Sequence, residues 1–141
     1  MARDLWTGGN EAAGFEVRVD RIKRVLRFTF WGFWDEPLAR QYLAASIAGM
    51  RELRATDGPW HVLADLTRYP AQKEEVGKCH GESMKAGHEL GLSRAANLVS
   101  SSLSAMQIRR LSIENNLPEF SFFQDERLAL AWLETGEQKP K

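Results

Sequence analysis

Strand-like and helix-like segments alternate strictly along the last two thirds of this chain, and that alternation limits the fold more than any other feature. Short buried strands are predicted at residues 60–66, 95–99 and 120–123, and each is followed by a helical pattern. Alternating strands and helices require a mostly parallel sheet with right-handed crossovers.

An antiparallel hairpin precedes this alternating part. Residues 15–20 alternate apolar and polar side chains, which is typical of a half-buried strand. Residues 25–33 carry apolar side chains on both faces, which indicates a central strand. The link between them is short, so the two strands pair antiparallel. The prediction is an α/β fold with a mostly parallel five-stranded sheet, an N-terminal antiparallel hairpin and four helices. It forms one domain over residues 15–134, between flexible tails at 1–14 and 135–141.

Four helices are predicted from caps and apolar stripes. The first begins at Asp35, an acidic cap followed by Pro37, and runs to about residue 54. The second, at 72–90, contains three glycines that each cost about 1 kcal/mol relative to alanine, so we expect it to be the least stable. The inward side chains of the last three helices are predicted to be Val76, Cys79, Ser83, Ala86 and Leu90 in the second, Leu103, Met106 and Leu111 in the third, and Leu128, Ala131 and Trp132 in the fourth.

Charge and composition exclude several classes of function. Nineteen basic residues balance nineteen acidic ones, which gives no electrostatic reason to bind nucleic acid. No stretch approaches the roughly 18 apolar residues of a membrane span, and the first ten residues contain no secretory signal. We therefore expect a cytoplasmic protein with no membrane insertion and no nucleic-acid partner.

No catalytic or metal-binding constellation is present in the sequence. Cys79 and His80 are adjacent on one helix and do not face each other, while His61 and His88 lie elsewhere. No zinc spacing, nucleophile elbow or phosphate-binding glycine loop occurs. The expectation is a protein that is not an enzyme and that holds no metal or cofactor.

Polar side chains follow the strands where parallel sheets usually bind ligands, at the carboxyl ends. Six candidates for ligand or partner binding fall there: Trp34, Asp65, Thr67, Arg68, Ser100 and Ser101. Asp65 is equally suited to bind a ligand hydroxyl or to cap its own loop. The two serines are suited to bind an anion at a helix N-terminus, although a simple N-cap explains them better. Thr67 is either a phosphoacceptor or a turn residue. Arg68 is either an anion ligand or a solvated surface residue.

The order of strands and helices described above resembles, over nearly the whole chain, the STAS/SpoIIAA-like family of anti-sigma-factor antagonists and their relatives. Residues 63–67 (LADLT) are similar to the end of the family's third core strand, and residues 122–133 to its aromatic strand, acidic cap and Ala-Trp-Leu helix. The resemblance implies a bacterial, non-enzymatic regulatory or protein-interaction module with a protein partner or a homodimer. The family's phosphorylatable Asp-Ser-Ser-Gly segment is replaced here by residues 69–75, which contain no serine or threonine.

An alternative function follows from the surplus of aromatic side chains near strand ends. It is a carrier or sensor of a small apolar ligand bound at the carboxyl ends of the strands, with the weak second helix as a mobile lid.

Overall fold

The strands lie in the sheet in the same order as in the chain. The computed structural model describes residues 3–117 and 119–137. Within these ranges the elements are β1 (Leu5–Gly9), β2 (Gly14–Asp20), β3 (Val25–Trp31), α1 (Glu36–Arg54), β4 (Trp60–Arg68), α2 (Glu74–Glu89), β5 (Leu92–Leu98), α3 (Ser102–Glu114), β6 (Phe120–Phe123) and α4 (Glu126–Thr135). β1, β2 and β3 pair antiparallel, and β3 to β6 pair parallel. The mixed α/β class, the hairpin, the parallel part and the four helices are confirmed, but the sheet has six strands rather than five.

The extra strand lies in the segment that the sequence predicted as a flexible tail, so that prediction is wrong from Leu5 onward. β1 pairs with β2 from Leu5↔Arg18 to Gly9↔Gly14. The Asn10 side chain accepts hydrogen bonds from the backbone N–H groups of Ala12 and Ala13, which closes the turn. β1 is a sheet edge with little buried apolar surface, so it has no strong alternating pattern to detect.

The last helix ends where the C-terminal tail was predicted to begin. α4 extends to Thr135, and Gly136 ends it in the left-handed conformation with φ 75°. The backbone N–H of Gly136 donates to the carbonyl of Trp132. Residues 138–141, like residues 1, 2 and 118, lie outside the described part of the chain.

The helices cover the two faces of the sheet unequally. Right-handed crossovers that all advance in one direction put their helices on one face, and α1, α2 and α3 pack there over the larger core cluster. α4 covers the opposite face with a smaller cluster that includes Leu63, Ala96 and Trp132. The central position predicted for the second hairpin strand, β3, is confirmed.

The four described helices differ in how they begin. Asp35, Ser101 and Asp125 cap α1, α3 and α4 by accepting a hydrogen bond from a backbone N–H of the first turn. At the start of α2, Lys73 makes no side-chain cap. Because a side-chain cap contributes about 1 kcal/mol, α2 lacks a stabilising contact that the other three helices have.

The inward faces predicted for α3 and α4 need correction. Leu103 and Met106 are 68% and 64% exposed, and Leu128 is 53% exposed. Among the residues expected to face inward, Ala131 is also exposed, whereas Leu111 and Trp132 are buried as predicted. The other inward side chains are Ser104, Ile108 and Ser112 of α3 and Ala129 and Leu133 of α4. Apolar residues occur on both faces of α3, so its pattern alone did not identify the buried one.

Candidate functional site

A cavity of about 50 Å³ lies beneath α2, between the sheet and the three helices of that face. Its wall is largely apolar, with side chains such as Phe28, Val62, Leu92 and Ile108. Polar side chains interrupt this wall on several elements: Tyr42, His80, Ser83, Asn97 and Ser112. An apolar enclosure with a few convergent polar groups is the usual composition of a small-molecule site.

Hydroxyl groups connect α2 to α1 at one side of the cavity. The Tyr42 hydroxyl and Ser83 Oγ lie 3.0 Å apart, Ser83 Oγ donates to Ser46 Oγ over 2.9 Å, and Ser46 Oγ donates to the carbonyl of Leu43 over 2.8 Å. Each hydroxyl has one proton, so the direction of the chain requires Tyr42 to donate to Ser83. Burial raises the pKa of Tyr42, which keeps the phenol protonated. All the protons of these linked hydroxyl groups are therefore already donated, and only oxygen lone pairs remain, which can accept hydrogen bonds from a ligand.

A second buried hydrogen bond joins α2 to the loop after β4. His80 Nε2 and the Tyr69 hydroxyl are 2.7 Å apart, and the imidazole packs against the rings of Trp34 and Phe30 at 5.3 Å. Burial lowers the pKa of His80 to about 3 and raises that of Tyr69. Both groups are therefore neutral near pH 7, and the pair acts as a tether rather than as an ion pair.

Gln72 fixes the chain immediately before α2. Its side-chain oxygen accepts from the backbone N–H of Trp34, and its side-chain nitrogen donates to the carbonyls of Gly32 and Pro70, at 2.8, 3.0 and 2.8 Å. The Gln107 amide, on α3, bonds both the N–H and the carbonyl of Gln72 at 2.8 Å. These contacts hold the start of α2 through polar side chains rather than through a helix cap.

The predicted residues at the carboxyl edge of the sheet come together only in part. Asp65 Oδ1 accepts from the backbone N–H of Thr67 at 3.0 Å and from its hydroxyl at 2.7 Å, and Ser100 Oγ donates to the Thr67 carbonyl at 2.7 Å. Asp65 therefore binds the carboxyl end of its own strand, β4. Arg68 is exposed, and its guanidinium lies 5.6 Å from the centre of the Trp31 ring.

The other two predicted site residues have structural contacts. Ser101 is the N-cap of α3. Trp34 is 2% exposed within the core, and its indole N–H donates to the carbonyls of Gly14 and Trp31 at 3.1 Å. Neither one joins the group formed by Asp65, Thr67 and Ser100.

The buried tethers of α2 were missed from the sequence. Val76, Cys79, His80 and Ser83 have the i, i+3, i+4, i+7 spacing of one helix face, so the pattern places His80 inward. His80 was considered only as a metal ligand or as the partner of a catalytic thiol, and its role in holding α2 to the loop after β4 was not predicted. Cys79 is buried, and burial raises the pKa of its thiol.

In residues 3–117 and 119–137, no three or more His, Cys, Asp and Glu side chains form a group able to hold a metal ion. None of the described helices has both the length and the apolar character needed to cross a membrane. No protein-family model matches this chain, and no curated protein matches it.

Proposed function

We propose that this chain is a non-enzymatic binding module for a small, neutral, mostly apolar ligand that occupies the cavity beneath α2. The observation that carries the proposal is the cavity itself, which is lined by apolar side chains and a few polar ones under the helix with no side-chain cap. The proposed site lies beneath the second helix rather than at the carboxyl edge, where Asp65 and Ser100 already bond to Thr67 of β4.

The lining supports a neutral ligand that carries a hydrogen-bond donor. None of the described side chains that line the cavity is Lys, Arg, Asp or Glu, and His80 is neutral near pH 7. A charged ligand would lose its hydration without gaining an ionic partner. The hydroxyl chain from Tyr42 through Ser83 accepts hydrogen bonds, so an alcohol or N–H group complements it better than an ether.

The size of the cavity supports a role for α2 as a lid. About 50 Å³ is enough for a few water molecules and is roughly a third of the 150 Å³ of a cavity known to bind benzene. A ligand of more than a few heavy atoms requires α2 to move outward. α2 is suited to that movement because, apart from Val76 and His80, its buried residues are glycines, Cys79 and Ser83, and because no side chain caps its first turn.

Two isomeric probes test the proposal, 1-butanol and diethyl ether, each titrated into isotope-labelled protein and followed by NMR. We expect saturable shifts at residues that line the cavity, with 1-butanol bound about fivefold more tightly because only the alcohol donates a hydrogen bond. Ser83→Ala should remove this preference, and Ala95→Val, which fills the cavity, should weaken both probes. Ala44→Val, on the exposed side of α1, is the matched control. Shifts confined to exposed residues, or equal affinities of the two isomers, would contradict the proposal.

A second candidate is a STAS-like regulatory module that contacts its partner, another protein or a second copy, through the carboxyl end of β4. It is favoured by the exposed side chains of Thr67, Arg68 and Ser100 beside one another at the carboxyl edge. Residues 68–81 contain no serine or threonine, so such a module works without the family's serine switch. Phosphopeptide mapping of protein from its native cells should find the end of β4 and the loop after it unmodified, whereas stoichiometric phosphate on Thr67 would contradict that expectation.

A further inference from the structure

The solvent-facing side of α3 carries an apolar stripe. Leu103, Met106 and Ile113 are 68%, 64% and 61% exposed. With Arg110 they occupy positions spaced by three, four and three residues, which is the spacing of a helix that packs against another helix. These four residues are called the α3 stripe.

The α3 stripe is unusual because the opposite face of the same helix is partly polar. Ser104 and Ser112 point into the core, where they donate to the carbonyls of Tyr69 and Ile108 at 2.6 and 2.7 Å. Exposed apolar residues that occur singly need no explanation, but an aligned set on one element marks an interaction surface. α3 thus buries two serines and exposes three large apolar side chains.

The net charge on this surface is positive, because Arg109 and Arg110 accompany a single exposed carboxylate of α3, that of Glu114. Arg109 and Arg110 are both exposed, and no carboxylate of the described residues forms an ion pair with either. The Arg109 guanidinium instead lies 5.2 Å from the centre of the Phe122 ring on β6. The arginines leave two cationic groups available to a partner.

The same arginines disfavour a second copy of this chain as the partner. In an antiparallel α3–α3 pair centred on the middle of the helix, near residue 108, the two Arg110 side chains would lie about 6 Å apart along the axis at 1.5 Å per residue. Like charges at that separation destabilise an interface. A partner with carboxylates would neutralise them.

We propose that the α3 stripe is the docking site for an acidic amphipathic helix of a different protein. The partner's apolar side chains would pack between Leu103, Met106 and Ile113, as in other helix-on-helix recognition. Its carboxylates would pair with Arg109 and Arg110, which are suited to bidentate contacts. This inference is independent of whether the cavity beneath α2 binds a ligand.

Site-specific photo-crosslinking tests the proposal. A benzophenone amino acid replaces Met106 in the full chain, and cross-linking in native cell extract is followed by identification of the linked peptide by mass spectrometry. The same amino acid at Lys78, an exposed position on α2, is the control. The linked segment is then synthesised, and its affinity for the unmodified protein is measured by fluorescence anisotropy.

We expect the Met106 position to link to an acidic amphipathic helix of another protein that the Lys78 position does not capture. Met106→Ser and Arg110→Glu should each weaken the synthetic peptide about tenfold. Both variants should fold normally because these side chains are exposed. A peptide with lysines in place of its acidic residues should regain affinity for Arg110→Glu. Links only to lipid, to a second copy or to a segment without carboxylates would overturn the proposal, as would the absence of any link above the control.

Discussion

Replacing Gly77 by alanine tests whether the low stability expected for α2 comes from its glycines or from its packing. Gly77 lies in α2 and adopts no unusual backbone conformation. Alanine is more favourable than glycine in a helix by about 0.5–1 kcal/mol. The nearest atom to a new Cβ would be Gln107 Nε2 at 3.6 Å, which is an ordinary contact. Gly77→Ala should therefore raise the free energy of unfolding by about 0.5–1 kcal/mol.

Gly49→Ala is the matched control, because the same change of residue type should have the opposite sign there. Gly49 is a buried position of α1, and a Cβ at that position would lie 2.6 Å from Leu26 Cδ1 and 3.3 Å from Val17 Cγ1. Leu26 and Val17 are both 0% exposed and have little room to move. Overpacking of this kind costs about 1–3 kcal/mol, which outweighs the gain in helix propensity.

Urea unfolding followed by tryptophan fluorescence measures both variants against the unmodified protein. We expect the midpoint to rise for Gly77→Ala and to fall for Gly49→Ala, with the dependence on urea unchanged. A lower free energy of unfolding for Gly77→Ala would refute the reasoning, because it would mean that α2 and α3 pack too closely at residue 77 to admit a methyl group.

Three further predictions concern the same region. Burial lowers the pKa of His80 to about 3 in the folded protein, so below about pH 6.5 the unfolded chain binds a proton that the folded chain does not, and the free energy of unfolding should fall by about 1.4 kcal/mol per pH unit down to about pH 3. His80→Phe, unfolded at a series of pH values from 7 to 4, should lack that part of the pH dependence, and an unchanged dependence would contradict the burial argument. Gln72→Ala should lower the free energy of unfolding by about 2 kcal/mol because it leaves the Trp34 N–H buried without its acceptor. The same change at the exposed Gln41 should alter the free energy of unfolding little, and equal effects of the two variants in the urea titration would argue against the role of Gln72 in fixing the start of α2. Amide hydrogen exchange should be faster in residues 76–87 than in residues 43–53 because α2 has glycines and no side-chain cap, and equal or slower exchange in α2 would count against its role as a lid.

Much of the fold could be predicted from the sequence because alternation and caps are local signals. Asp35 and the serine cluster before α3 were identified as caps from residue type alone, and both predictions are confirmed. β1 was missed because an edge strand buries little and has no apolar period to detect.

The parts that failed depend on contacts between distant segments. The choice between the two faces of α3 depends on Ser104 reaching the carbonyl of Tyr69, 35 residues away in the chain. The cavity depends on how α2 meets α1, α3 and the sheet, and no pattern within one helix shows this. Of the six candidate site residues, Asp65, Thr67 and Ser100 do lie together, because the carboxyl ends of β4 and β5 are neighbours in the sheet.

The sequential order of the strands has a consequence for synthesis on the ribosome. From β2 onward, each strand pairs with the strand made just before it, so a nascent chain can extend its sheet in one direction as it emerges. The edge of β5 stays unpaired until β6 is complete, and the face that includes Leu63, Ala96 and Leu98 stays uncovered until α4 arrives. A translation product that stops before residue 120 would therefore expose both the unpaired edge of β5 and an apolar sheet face, which are the features that promote aggregation.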